Sequence, residues 1–208
     1  MGHSVLSLET ARLRLRRWRE SDAAAFAALN SDPQVMEYFP AVLSEAECAF
    51  VLEQIEAGFE LNGFGIWALE ELDGGRFIGL TGLSVVPFAA AFTPAVEVGW
   101  RLVREAWGRG YATEAAAAAL GFGFEQAGLA EIVSFTSSTN VRSIAVMERL
   151  GMHRDDAGDF AHPQIDAGHV LAPHVLYRLG AEEWRGRSGV CDEDALTARV
   201  SRGSGPRR

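Results

Sequence analysis

Charged and apolar side chains alternate through RLRLRRW, Arg12 to Trp18. That is the period of a strand with one buried face, and the segment reads as the first strand of a sheet. Ser21 precedes an alanine-rich stretch to Asn30 and reads as a helix N-cap. Ser44 and Glu47 stand at capping-box spacing, and Cys48, Val51, Leu52, Ile55 and Phe59 follow at helical intervals. Ser44 to Leu61 is therefore predicted as an amphipathic helix, closed by Asn62 and Gly63.

GFGIWALEE and RFIGLTGLSVV flank LDGG, an Asp-Gly hairpin signal between two strands. A third strand, Ala95 to Val103, comes after the loop PFAAAFTP. Ala112 to Gln126 reads as helix, Glu131 to Ser137 as a buried strand and Asn140 to Leu150 as a short helix. A strand from about Met152, an Asp-rich loop and a last strand, His174 to Leu179, complete the pattern. Antiparallel strands first and crossing helices later give a mixed α+β sheet covered by helices. Beyond Arg185, Gly, Ser, Arg and Asp dominate, so 186–208 reads as a flexible C-terminal tail.

Composition narrows the class. The chain has 208 residues, 48% hydrophobic and 23% charged, which suits one globular domain and excludes disordered and collagen-like chains. All 19 basic residues are Arg. A formal net charge of -9 argues against a nucleic-acid partner, whose phosphates need many cations, and mildly favours a cationic one. Cys48 and Cys191 are far apart and lack metal-ligand spacing, so neither a disulfide framework nor a metal is expected. No apolar run approaches membrane-spanning length, and the opening MGHSVLSLET lacks a signal-peptide core. The chain reads as cytoplasmic, with no membrane association.

The chemistry-bearing stretch is WGRGYATEA, Trp107 to Ala115. A helix start leaves its first amides unpaired and carries partial positive charge, which suits phosphate. Gly108 and Gly110 let the backbone approach oxygens, and Arg109 adds a charge; alternatively the glycines only make a tight strand-to-helix connection. A P-loop needs Lys, which is absent, and a dinucleotide fingerprint needs glycine where Thr113 stands. A plain nucleotide-binding domain is thus a weak reading.

EVGWRLVREAWGRGYATEA, Glu97 to Ala115, followed by STNVRSIAVMERLGM, Ser138 to Met152, resembles the GNAT superfamily of acetyl-CoA-dependent N-acetyltransferases. More narrowly it resembles the branch holding ribosomal-protein N-terminal acetyltransferases, as do ETARLRLRRW and HVLYRLGAEEW. The resemblance runs from about Glu9 to Trp184 and implies one domain over 9–185. It implies a mixed, mostly antiparallel central sheet of about seven strands flanked by helices on both faces. The pyrophosphate loop falls on Trp107, Gly108, Arg109, Gly110, Tyr111, Ala112 and Thr113, with Trp107 where the superfamily prefers Gln or Arg. The strand end from Trp100 to Leu102 is implied to pair through its backbone with the pantetheine arm of acetyl-CoA, as a peptide extends a sheet edge. Asn140 matches the residue that steadies that arm.

Asn140, Ser143 and Met147 share a helical face, which would turn all three toward the thioester. Met147 stands where much of the superfamily has a Tyr that protonates the leaving thiolate. Ser143 is the nearest hydroxyl able to substitute, or a plain helix-surface or capping residue. Attack by an amine needs a neutral nucleophile, so a base is useful. Glu97 resembles the glutamate of this branch and is expected as that base, directly or through water, unless it is only a surface or salt-bridged strand residue. A strand amide near Val98 or Gly99 would meet the oxyanion. Glu114 in the first helical turn reads as structural.

Asp155, Asp156, Asp159, His162 and Asp166 form a loop that, in the family, borders the acceptor pocket and would attract a cationic amine, or is merely solvated. His162 and His174 are too far apart in sequence for a metal site. The expected protein is an N-acetyltransferase, monomer or homodimer, whose amine acceptor is a small molecule or a protein N-terminus. The rival is a non-catalytic acyl-CoA-binding sensor or scaffold.

Overall fold

The structure is a computed structural model that describes residues 6–188 and 199–202. In chain order the elements are β1 (Leu6–Glu9), β2 (Leu13–Arg16), α1 (Ala23–Ser31), α2 (Glu45–Asn62), β3 (Ile66–Glu71), β4 (Phe77–Val85) and β5 (Val96–Leu102). Then come α3 (Tyr111–Glu125), β6 (Glu131–Ser137), α4 (Val141–Arg149), β7 (His153–Arg154), β8 (Phe160–Ala161), β9 (Pro173–Gly180), α5 (Ala181–Ser188) and β10 (Arg199–Arg202). One sheet orders them β10-β1-β2-β3-β4-β5-β6-β9-β7, with β8 paired to β9. Among the described residues ten strands stand in the sheet where about seven were expected, because β1 precedes the alternating segment and β8 and β10 are too short to show a period. Residues 186–188 finish α5 and 199–202 pair with β1, so these parts of the expected tail are regular. The rest of that tail, with Cys191, lies outside the described residues.

Local chemistry sets the element ends. Ser44 Oγ accepts from Glu47 N–H at 3.3 Å and the Glu47 carboxylate accepts from Ser44 N–H at 2.7 Å, the reciprocal box that starts α2. Ser21 does not cap α1. A 3-10 turn over Glu20–Asp22 precedes that helix, and Asp22 spends its carboxylate on Arg16 and on Arg19 N–H instead. The LDGG hairpin joins β3 to β4 as expected.

Helices cover both faces of the sheet. The buried alanines of α3, Ala115, Ala116, Ala118 and Ala119, let it lie close on Trp67, Ile78, Leu83 and Val98 in the main core. Phe26 and Leu29 of α1 and Cys48 of α2 pack on Leu80 in a second cluster. Every neighbouring pair from β1 to β5 is antiparallel, whereas β5 and β6 are parallel and register only at Glu97 and Val133. Past that point the two strands diverge, and a cleft opens between them.

Candidate active site

A cleft of about 1090 Å³ occupies this gap. From Val98 to Leu102, β5 has β4 on one side and, among the described residues, no strand on the other. On that side Val98 O accepts from Ser134 Oγ at 3.0 Å. Such an edge leaves main-chain donors and acceptors for an extended arm to pair with. Trp100 and Leu102 line it.

The loop from Trp107 to Gly110 caps the same end. Gly108 and Gly110 have φ of 71° and 78°, the left-handed region that costs other residues about 1 kcal/mol or more. The first helical bond of α3 runs from Glu114 N–H to Gly110 O, so Tyr111, Ala112 and Thr113 amides have no helical partner. Glu114 moors the loop to the β1–β2 turn. It accepts from Thr10 Oγ1 at 2.6 Å and Arg12 Nε at 2.7 Å, while Arg12 Nη1 donates to Arg109 O at 3.0 Å. The Arg109 guanidinium is half exposed, 3.9 Å from Glu71. Trp107 donates from Nε1 to Leu102 O at 2.9 Å, which ties the loop to the strand end. Arg142 of α4 stacks 4.4 Å over the Trp107 ring and pairs with Glu37 of the α1–α2 loop at 2.6 Å.

Asn140 caps α4. Its Oδ1 accepts from Ser143 N–H at 3.2 Å, and its Nδ2 donates to Thr136 Oγ1 at 2.9 Å and Ser143 Oγ at 3.1 Å. Ser143 accepts that bond on its oxygen, so its own hydroxyl hydrogen remains to be donated into the cleft it lines. Met147, though on the Ser143 side of α4, does not turn toward the cleft as expected. It is fully buried in the main core and does not border the cleft, because the inner turn of α4 packs toward α3.

Glu97 sits at the foot of the cleft, where β5 and β6 part. Ser84 Oγ donates to its Oε1 at 2.9 Å. The surrounding protein pushes the Glu97 carboxyl up from 4.5 to about 7, against the smaller lowering effect of the Ser84 bond. No cation pairs with it among the described residues, so the salt-bridged alternative does not hold.

The pocket beside Glu97 is aromatic. Because Phe160 of β8 registers with His174 of β9, His162 and His174 come together with ring centroids 4.9 Å apart. Phe88 packs on His162 at 4.8 Å, and Phe135 lies 5.6 Å from Phe160. Burial lowers both histidines below their ordinary value, and His174 lowers His162 further. This pair was not legible from spacing; only the β8–β9 pairing makes it. The acidic loop follows the solvated of its two readings rather than the amine-attracting one. Asp155 pairs with Arg178 at 2.7 Å, Asp156 and Asp159 pair with Arg154, and none of them lines the cleft. Of the five loop residues, only His162 reaches it.

Other candidates fall outside the site. Cys48 is buried under α1, with its thiol pushed up by burial. Trp67 is core. Among the described residues, no group of three or more His, Cys, Asp or Glu comes together to hold a metal, and no helix is long and apolar enough to cross a membrane.

Comparison with known proteins agrees with this geometry. The family described as acetyltransferase (GNAT) domain matches residues 12–153. The protein YkkB of Bacillus subtilis (strain 168) is 32% identical over 147 residues, 70% of this chain and 84% of that protein. The FsC-acetyl coenzyme A-N(2)-transacetylase of Aspergillus fumigatus is 31% identical over 189 residues, 86% of this chain and 77% of that one. An acetyltransferase crystal structure from Agrobacterium tumefaciens str. C58 superposes with a TM-score of 0.70 at 28% identity, covering 86% of this chain and 96% of that one. The ribosomal-protein-S5-alanine acetyltransferase of Vibrio fischeri, at TM-score 0.67 and 18% identity over 86% of this chain and 98% of that one, shares the fold. With a parted parallel strand pair, a glycine loop at a bare helix start and a family match over most of its length, the chain belongs to the GNAT acetyltransferases and is an N-acetyltransferase.

Proposed function

We propose that this N-acetyltransferase moves the acetyl group of acetyl-CoA to a primary amine by direct attack, with Glu97 as general base. The observation that carries the reading is Glu97 itself, alone among carboxylates lining the cleft, with its carboxyl near 7. A base with that value accepts a proton at neutral pH and still spends much of its time ready to do so.

The amides from Gly108 to Thr113 hold the pyrophosphate, with Arg109 beside them, and Trp107, Tyr111 and Ala112 shape the loop. Trp100 and Leu102 offer the open strand edge to the pantetheine arm; the Trp107 bond already occupies one lone pair of Leu102 O. Asn140 sets the start of α4, and the Ser143 hydroxyl donates a hydrogen bond that stabilises the departing thiolate while keeping its own proton. The amine nitrogen bonds to the thioester carbonyl carbon, the C–S bond breaks, and Glu97 takes the amine proton directly or through water. An amide near Val98 or Gly99 meets the developing oxyanion. A coenzyme A thiol, by analogy with Cys at about 8.5, leaves without a strong acid. The acetyl coenzyme A in the name of the Aspergillus relative supports the choice of donor.

The test is a panel of primary amines with acetyl-CoA, following free thiol and the acetylated amine. Thiol release dependent on an amine supports the reading. Tight acetyl-CoA binding with no release for any amine would identify a sensor instead.

A further inference from the structure

Residues two apart share a face of a strand, so Glu97, Gly99 and Arg101 share one face of β5 while Val98 and Leu102 enter the core on the other. Glu97 and Arg101 are separated along the backbone by about 13 Å, at about 3.3 Å per residue. Between them a Cβ built on Gly99 would meet no heavy atom within 4 Å, so the space over the glycine is open. All three residues line the cleft, as do Tyr38 and Phe39 of the α1–α2 loop.

Arg101 is the unusual member. Its Nη1 donates to Asn30 Oδ1 and its guanidinium stacks 4.0 Å over Phe39. No carboxylate pairs with it among the described residues, and its Nε is shut off from water with no hydrogen-bond partner. Burial lowers it to about 10, which leaves it charged at neutral pH. A guanidinium offers five N–H donors and here uses one. An enclosed cation without a counter-ion is costly, and the cost is relieved when a ligand supplies the anion. The cleft as a whole runs against the chain's net charge of -9, since Arg101, Arg142 and Arg149 line it with Glu97 as its one carboxylate.

We propose that Arg101 is an anion subsite for the acetyl acceptor, so that the acceptor is an amine carrying a carboxylate or similar anionic group. Its amine meets Glu97 and its anion meets Arg101, across the gap that Gly99 leaves. This rests on the acetyl-transfer reading above and replaces the cationic acceptor that net charge suggested.

The experiment compares ω-amino carboxylates of graded length with alkylamines of the same length, in the wild type, Arg101→Met and Arg101→Lys. The wild type is expected to favour the carboxylates. Arg101→Met should lower kcat/KM for them by about ten- to a hundred-fold, the worth of a charged hydrogen bond, and change the alkylamines by no more than about twofold. Arg101→Lys should recover part of the loss and serves if the Met variant does not fold. Equal use of both series by the wild type, or an equal loss on both in the variant, overturns the subsite. A raised KM for acetyl-CoA with every acceptor also overturns it, by assigning Arg101 to the coenzyme. If no amine releases thiol, the acetyl-transfer reading fails by itself, and glutarate titrated into the coenzyme A-loaded protein decides the subsite. Binding lost in Arg101→Met supports it, and no binding to the wild type overturns it.

Discussion

Ser84 and Glu97 face each other across the β4–β5 ladder, and the Ser84 hydroxyl donates to Glu97 Oε1 at 2.9 Å. Burial raises the carboxyl to about 7, and this bond holds it below where burial alone would put it. Ser84→Ala should therefore move the acid limb of kcat/KM to higher pH by about half to one unit, the equivalent of one hydrogen bond, and leave the alkaline plateau nearly unchanged. A pH–rate series on the two proteins checks this; an unmoved midpoint would separate Ser84 from the base.

The same shift couples Glu97 to folding. A carboxyl raised from 4.5 to about 7 binds its proton more tightly in the folded state, so its favourable contribution is full below about 4.5 and is lost as pH rises through about 7. Glu97→Gln carries no such dependence. Relative to wild type it should gain stability between these values, by up to about 3 kcal/mol at pH 8, at about 1.4 kcal/mol per unit. Urea unfolding of both proteins at acid and alkaline pH measures the difference, and a constant difference would contradict the raised value.

Trp107 joins two parts of the cleft through its bond to Leu102 O and its stack under Arg142. Trp107→Ala removes both, and the sum of a neutral hydrogen bond and an exposed cation–π contact predicts acetyl-CoA binding weaker by about tenfold. Trp107→Phe keeps a ring for Arg142 and should lie between. Calorimetry with acetyl-CoA reads the binding, and kcat at saturation should change by no more than about twofold.

Away from the cleft, Arg16, Asp22 and Glu70 form a buried ion network, with Arg16 Nε 2.7 Å from Glu70 and Nη1 2.6 Å from Asp22. Burial alone would raise both carboxyls, yet the bonds from Arg16, with Arg19 and Arg14, hold them below their ordinary values. Their contribution is thus present above the ordinary carboxylate range and is lost as pH falls through the lowered values. Arg16→Met should cost about 3–5 kcal/mol at neutral pH by leaving buried Asp22 without its cation and Glu70 with only Arg14 and Arg19, with kcat/KM unchanged below its Tm. Thermal unfolding at pH 7 tests the first part and kinetics at low temperature the second.

The elements that were legible in the sequence are those specified locally. The Ser44–Glu47 box, the LDGG hairpin and the glycines before α3 each act within a few residues, and each stands where the pattern put it. Glu97 and the α3 loop could be read together because one strand and one turn connect them. What was hidden depends on distant partners. Ser21 read as the cap of α1, but Asp22, held by Arg16 of β2, ends a 3-10 turn there instead. Met147 shares a helical face with Ser143, but periodicity does not say how far round that face the core begins. The acids of the 155–166 loop read as an open negative patch, whereas Arg178, brought from β9, neutralises Asp155. Arg101 gave no signal, since an arginine in a strand sequence does not reveal that no carboxylate will meet it.

In the proposed mechanism Glu97 removes the proton from the attacking amine, and the pH dependence of kcat/KM for wild type and Glu97→Gln, with acetyl-CoA and an accepted amine, tests this. The wild type should show an acid limb near 7, and the variant a rate lower by about a hundred-fold or more at neutral pH that recovers toward high pH, where the amine is already neutral. A variant with the wild-type profile and rate would contradict that mechanism.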